Sequence, residues 1–117
     1  MNNAYYTAIG IDVSDRKSQI CVMSKINGNL KVVLEATIPT TKDGFRKFLA
    51  TQDKASPVTF ETGTHCRWMS EVAADMGFKV YVANPCRLKM ITESKTKNDV
   101  NDARTLARMT LADVGLL

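Results

Sequence analysis

Apolar residues in this chain alternate between continuous or two-residue patterns and a three-to-four-residue pattern, and the switches mark its elements. Residues 7–14 (Thr-Ala-Ile-Gly-Ile-Asp-Val-Ser) are small or branched and apolar up to Asp12. That predicts a strand covered on both faces, with a carboxylate where it leaves the core. After the polar turn Asp15-Arg16-Lys17, residues 18–24 read as a second strand. Asn27-Gly28 is a hairpin signal, and residues 30–38, mostly branched and apolar, follow as a third strand ended by Pro39. From Lys42 to Gln52 the period lengthens. Phe45, Phe48 and Leu49 make a helical stripe, with Thr41 or Asp43 as the cap. Ser56-Pro57 breaks the chain before a short strand, Val58-Thr59-Phe60-Glu61, which also ends in a carboxylate. The turn Thr62-Gly63-Thr64 leads into a helix over 65–76, with Trp68, Met69, Val72, Ala73 and Met76 on its apolar face and Gly77 as its stop. Residues 78–83 form a further strand, closed by Asn84-Pro85. A less regular basic segment, 86–97, precedes a last helix over 100–113, whose inward positions are Val100, Ala103, Leu106, Ala107 and Leu111.

The order is therefore β-β-β-α-β-α-β-α. Three strands joined by short turns predict an antiparallel meander, and the later strands, separated by helices, predict parallel crossovers. The expected fold class is α/β: a mixed sheet with helices on both faces, arranged as in the ribonuclease H-like fold. Fold alone does not give function.

Length and composition fit one domain over 1–117. With 44% hydrophobic and 24% charged residues, the chain has the makeup of a soluble globular protein. No apolar run is long enough to span a bilayer, and the N-terminus lacks a basic and apolar leader. Cys21, Cys66 and Cys86 are odd in number and lack paired spacing, which argues against a disulfide framework or a zinc site and fits a reducing cytoplasm. The net charge of +4 permits a nucleic-acid partner. Its distribution says more, because Arg87, Lys89, Lys95 and Lys97 cluster with Glu93 as the one acid among them. That cluster is either a solvated surface or a contact to phosphate backbone.

The carboxylates carry the candidate chemistry. Asp12 and Glu61 end two strands, and in open α/β sheets ligand sites lie at the carboxyl ends of strands. Asp99 and Asp102, three apart, share a helix face. Three of the four also have a plainer reading: Asp12 as a turn residue, Asp99 as an N-cap, Asp102 as a first-turn acid favoured by the helix dipole. Four converging acids repel one another unless divalent cations neutralise them. Hard oxygen donors point to magnesium or manganese, and two such ions about 3.5–4 Å apart serve phosphodiester chemistry. His65, the one histidine, reads as a helix-start polar residue, and Trp68 as a core anchor.

Four stretches occur in order: Gly10-Ile11-Asp12-Val13-Ser14, Glu61-Thr62-Gly63, Val82-Ala83-Asn84-Pro85, and Lys95-Thr96-Lys97-Asn98-Asp99-Val100-Asn101-Asp102-Ala103. Together they resemble the N-terminal domain of the insertion-sequence 110 family of transposases, related to the Piv DNA invertases and similar in fold to the resolvase RuvC. The resemblance implies an Asp-Glu-Asp-Asp tetrad of Asp12, Glu61, Asp99 and Asp102, with magnesium or manganese as cofactor and DNA as substrate. It also implies a serine-bearing C-terminal domain that these 117 residues do not supply, so the expected competence is partial. A homo-oligomeric full-length protein, and in some members a guide RNA, belong to the same expectation. Two other readings remain open. An actin-like or sugar-kinase-like ATPase also begins Gly-Ile-Asp, although residues 13–17 lack the glycines of a phosphate loop. A non-catalytic nucleic-acid-binding module would keep the fold without the chemistry.

Overall fold

A computed structural model of the chain describes residues 5–84 and 103–117. Its elements run β1 (Thr7–Asp12), β2 (Lys17–Ile26), β3 (Asn29–Pro39), α1 (Lys42–Leu49), β4 (Val58–Glu61), α2 (Cys66–Asp75), β5 (Val80–Ala83), α3 (Ala103–Ala112) and a closing 3-10 turn, Val114–Leu116. The five strands form one sheet in the order β3-β2-β1-β4-β5. β1, β2 and β3 pair antiparallel, while β1–β4 and β4–β5 pair parallel. This is the ribonuclease H-like arrangement: a meander followed by crossover strands.

The local chemistry follows the sequence closely. Asn27 and Gly28 both take positive φ, 52° and 81°, as a two-residue hairpin turn requires. Thr41 caps α1, its hydroxyl accepting from the Gly44 N–H at 3.0 Å. α2 ends in a Schellman motif, with Gly77 at φ 94°, its N–H bonded to Ala74 O and the Phe78 N–H bonded to Ala73 O. That use of Phe78 explains why β5 begins at Val80 and not at residue 78. The Phe78 ring is buried instead against the α2 side of the sheet.

Two cores lie on opposite faces of β1. Ile9 and Ile11 face α1 and α2, packed with Phe45, Leu49, Phe60 and Met69. Ala8 faces α3, packed with Cys21, Met23, Ala103, Ala107 and Leu111. Strand alternation sorts them, since neighbouring residues point to opposite faces. Each large side chain buried here contributes about 1.5–3 kcal/mol of transfer free energy. On the α3 face the small residues are Ala8 and Gly10, and the helix comes in close over them. A β-carbon added to Gly10 would lie 2.1 Å from Ala103 O and 2.7 Å from Ala107 N. Deeper in the same layer, Thr110 donates to Leu106 O at 2.7 Å, so its oxygen accepts from the buried Thr59 hydroxyl of β4, also at 2.7 Å. Arg104 then ties α3 to the edge strand through a two-pronged pair with Glu35, at 2.5 and 2.9 Å. These hydrogen bonds and the guanidinium charge hold the Glu35 carboxyl below its ordinary range.

The third strand, mostly branched and apolar in composition, lies at the margin of the sheet. Its branched residues Leu30, Val32, Val33 and Leu34 stand exposed, because β3 is the sheet edge. A register shift opposite Val22 and Met23 leaves Val33 as the extra residue, a bulge of the kind that interrupts edge pairing.

Gly10→Ala should lower the unfolding free energy by about 3 kcal/mol, because α3 must lift off β1 to admit the methyl group. Gly63→Ala, with nothing within 4 Å of the added carbon, should change it by less than about 0.5 kcal/mol. Urea denaturation of both variants checks the pair, and equal midpoints would contradict the packing of α3 on β1.

Candidate functional site

The site is built by the parallel pairing of β1 and β4. Their register matches Ile9 with Val58, Gly10 with Thr59 and Ile11 with Phe60. One residue further along each strand stand Asp12 and Glu61, side by side on strands about 4.8 Å apart. Alternation gives both the face that Gly10 and Thr59 present to α3. There Asp12 and Glu61 line one cleft, together with Asp15, Thr62, His65 and Leu106 of α3. The sheet ends at this point, so both carboxylates are half-buried: past the core, yet still shielded by α3 and the turn after β4.

The two acids feel one another. Partial burial pushes the Glu61 carboxyl up from its ordinary value, and the Asp12 charge beside it pushes the same way. A pair of like charges held at a strand edge is a place where a cation is favoured. Among the described residues no three His, Cys, Asp or Glu side chains gather as a complete metal cage. Asp12 and Glu61 supply two hard oxygen donors, suited to magnesium or manganese and not to a soft metal. Asp99 and Asp102, the other predicted acids, lie outside the described residues, as do Arg87, Lys89, Lys95 and Lys97.

The far wall of the cleft is the β1–β2 turn, which is pinned from below. Thr40 donates its hydroxyl to Ser14 O at 2.6 Å, so it accepts from the buried Ser18 hydroxyl at 2.7 Å. The Thr40 N–H also bonds Arg16 O at 2.9 Å. Asp15, at the tip of this turn, reaches across to His65 Nε2 at 3.1 Å. Its position in the sequence makes His65 a polar residue at the start of a helix. It does stand at the N-cap of α2, but its side chain makes no capping bond and lines the cleft instead. Trp68, one turn later, packs edge-on against Phe45 of the core and donates its Nε1–H to His65 Nδ1 at 3.0 Å. It is both a core anchor and the support of that histidine. The available signal was the i, i+3 spacing of His65 and Trp68, which puts both on one face of a helix.

A mixed five-stranded sheet in this strand order, with two carboxylates at the ends of its adjacent parallel strands, is a ribonuclease H-like domain. Two solved structures share that fold. The fowlpox virus Holliday junction resolvase matches with a TM-score of 0.61 and 12% identity, over 91% of this chain and 98% of that one. The fowlpox virus resolvase in complex with Holliday junction DNA matches with a TM-score of 0.58 and 12% identity, over 91% and 97%. No curated protein sequence matches the chain. The profile of the DEDD transposase family of insertion sequence 110 matches residues 9–117, and the chain belongs to that family of transposases.

The raised Glu61 carboxyl has a consequence for stability. A folded-state value above the unfolded one favours folding while the acid is protonated, and that advantage is lost as pH rises through the folded value. In chelator-treated buffer near neutral pH, Glu61→Gln should therefore raise the melting temperature. At a pH below the ordinary glutamate range the difference should vanish. Thermal unfolding at the two pH values checks the sign, and an equal or lower midpoint for the variant near neutrality would contradict it.

Proposed function

We propose that this domain carries out metal-dependent phosphodiester chemistry on DNA in transposition, with Asp12, Glu61, Asp99 and Asp102 as its acidic tetrad. The observation that supports this reading most is the emergence of Asp12 and Glu61 side by side from β1 and β4 into one cleft. Family membership supports the same reading from the other direction. So does the seat of α3: Ala103, the residue after Asp102 in sequence, packs on Gly10, two residues before Asp12.

In this reading Asp12 and Glu61 hold magnesium or manganese through carboxylate oxygens, and Asp99 and Asp102 complete the donor set. The bound ions would supply a Lewis acid for the phosphoryl oxygen and lower the pKa of an attacking water or hydroxyl. The protein fixes the geometry. β1 and β4 are central strands, so the carboxylates they end in move little, and α3 excludes water from the sheet side of the cleft. Arg87, Lys89, Lys95 and Lys97 serve as contacts to DNA backbone. Completing strand exchange takes a serine from a second domain, as the family resemblance implies, and a guide RNA and a homo-oligomer belong to the same proposal. Among the described residues no helix is long and apolar enough to cross a membrane, and the cytoplasm is the proposed compartment.

Asp12→Asn should abolish most manganese binding measured by titration calorimetry, with and without junction DNA, while leaving the circular dichroism spectrum unchanged. Equal affinity in the variant under both conditions would remove Asp12 from the ligand set. Replacing Arg87, Lys89, Lys95 and Lys97 together by alanine should reduce the slope of log K against log salt for duplex DNA by about 3.6. An unchanged slope would make that segment a solvated surface.

A further inference from the structure

His65 stands in an unusual setting for a polar residue at the start of a helix. It lines the cleft opposite three acids, Asp12, Asp15 and Glu61. Among the described residues that line this cleft it carries the one side-chain nitrogen. Its ring is mostly enclosed, with 22% of the side chain exposed, whereas its Asp15 partner is 91% exposed.

The hydrogen bonds around the ring fix its protonation pattern. Indole N–H is a donor and nothing else. Trp68 Nε1 lies 3.0 Å from His65 Nδ1, so Nδ1 accepts and carries no proton. The proton of the neutral ring is therefore on Nε2, which donates to Asp15 Oδ1 at 3.1 Å. Trp68 is itself held edge-on by Phe45 at 6.1 Å between centroids, and Phe45 is fully buried. The chain Phe45–Trp68–His65 thus projects a fixed N–H donor from the core into an acid-lined cleft. With Nδ1 accepting from the indole, His65 presents its Nε2–H to the cleft as a hydrogen-bond donor.

Asp15 is a weak reason for such a construction. It belongs to a solvent-exposed turn, and an exposed pair of this kind contributes about 0–1 kcal/mol. What its carboxylate offers is an anionic oxygen at the mouth of the cleft. A phosphodiester has the same chemistry: a non-bridging oxygen, anionic, with lone pairs for an N–H donor. A phosphate brought beside Asp12 and Glu61 meets negative charge on one side and gains from a fixed donor on the other.

We infer that His65 Nε2–H binds a non-bridging phosphate oxygen of the DNA strand that enters the cleft, and that the Asp15 carboxylate holds that position in the free protein. Trp68 is the positioning residue that keeps the donor on Nε2. The inference rests on the DNA reading given under Proposed function, and it adds to that reading a strand contact outside the acidic tetrad and outside the basic segment.

The test is binding of the full chain to a fluorescein-labelled synthetic four-way DNA junction, by anisotropy at fixed salt with calcium in place of magnesium. His65→Ala should weaken binding about 10-fold, the size of one hydrogen bond to a charged oxygen. His65→Gln keeps an amide N–H near the Nε2 position and should stay within about threefold of wild type. Asp15→Asn removes the competing anion and should tighten binding about threefold more than Asp75→Asn, an equal change of charge at the far end of α2. His65→Ala binding like wild type would overturn the inference and leave the DNA reading intact, whereas a wild-type chain that does not bind the junction would overturn both. If His65→Ala fails to fold, the exposed Asp15 decides: Asp15→Asn no tighter than Asp75→Asn would overturn the inference.

Discussion

Two like charges on adjacent parallel strands are the constraint around which this domain is arranged. Parallel pairing of β1 with β4 is the only reason Asp12 and Glu61, 49 positions apart in sequence, leave the sheet side by side. The pairing itself is stabilised by residues that have nothing to do with charge. Ile9, Ile11, Val58 and Phe60 are fully buried, and their burial outweighs the repulsion one residue beyond them. The acids are tolerated because they sit where the strands end, half in water. One strand residue earlier, the same pair would be desolvated in the core.

The α3 face shows how close packing serves the same end. Gly10 and Ala8 leave the sheet surface low, so the helix backbone comes down onto it, and Thr59–Thr110 fixes its rotation through a buried hydrogen bond. Leu106, one turn into that helix, then forms the apolar wall of the cleft. On the opposite face Phe45 and Trp68 carry the core outward to His65. The cleft is thus walled by two layers that meet only at the end of the sheet, and each wall is anchored in a separate hydrophobic core. Side chains so anchored are held in place by the packing of both walls.

The edge strand obeys a different requirement. β3 is composed as a core strand but lies at the margin, with Leu30, Val32, Val33 and Leu34 exposed and a bulge at Val33. Arg104 and Glu35 lace it to α3 across the sheet. Composition indicated a strand there, and only the strand order indicated which side of the sheet it closes.

The sequence by itself determined the elements and much of the order. Period-two and continuous apolar runs are local properties, and so are the Asn27-Gly28 turn, the Thr41 cap and the Gly77 stop, each enforced by the backbone chemistry of one or two residues. It also marked Asp12 and Glu61 as acids at strand ends, because a carboxylate after an apolar run stands out from its neighbours alone. Tertiary structure decided what those local signals do not encode. It decided that β4 lies beside β1, that Gly10 receives the backbone of α3, and that β3 is an edge. It also turned His65 from an ordinary helix-start residue into a fixed donor. That last role depends on Trp68 below and Asp15 across the cleft, fifty positions away, and no local pattern of residues records a hydrogen bond between a turn and a helix that meet only after the sheet has formed.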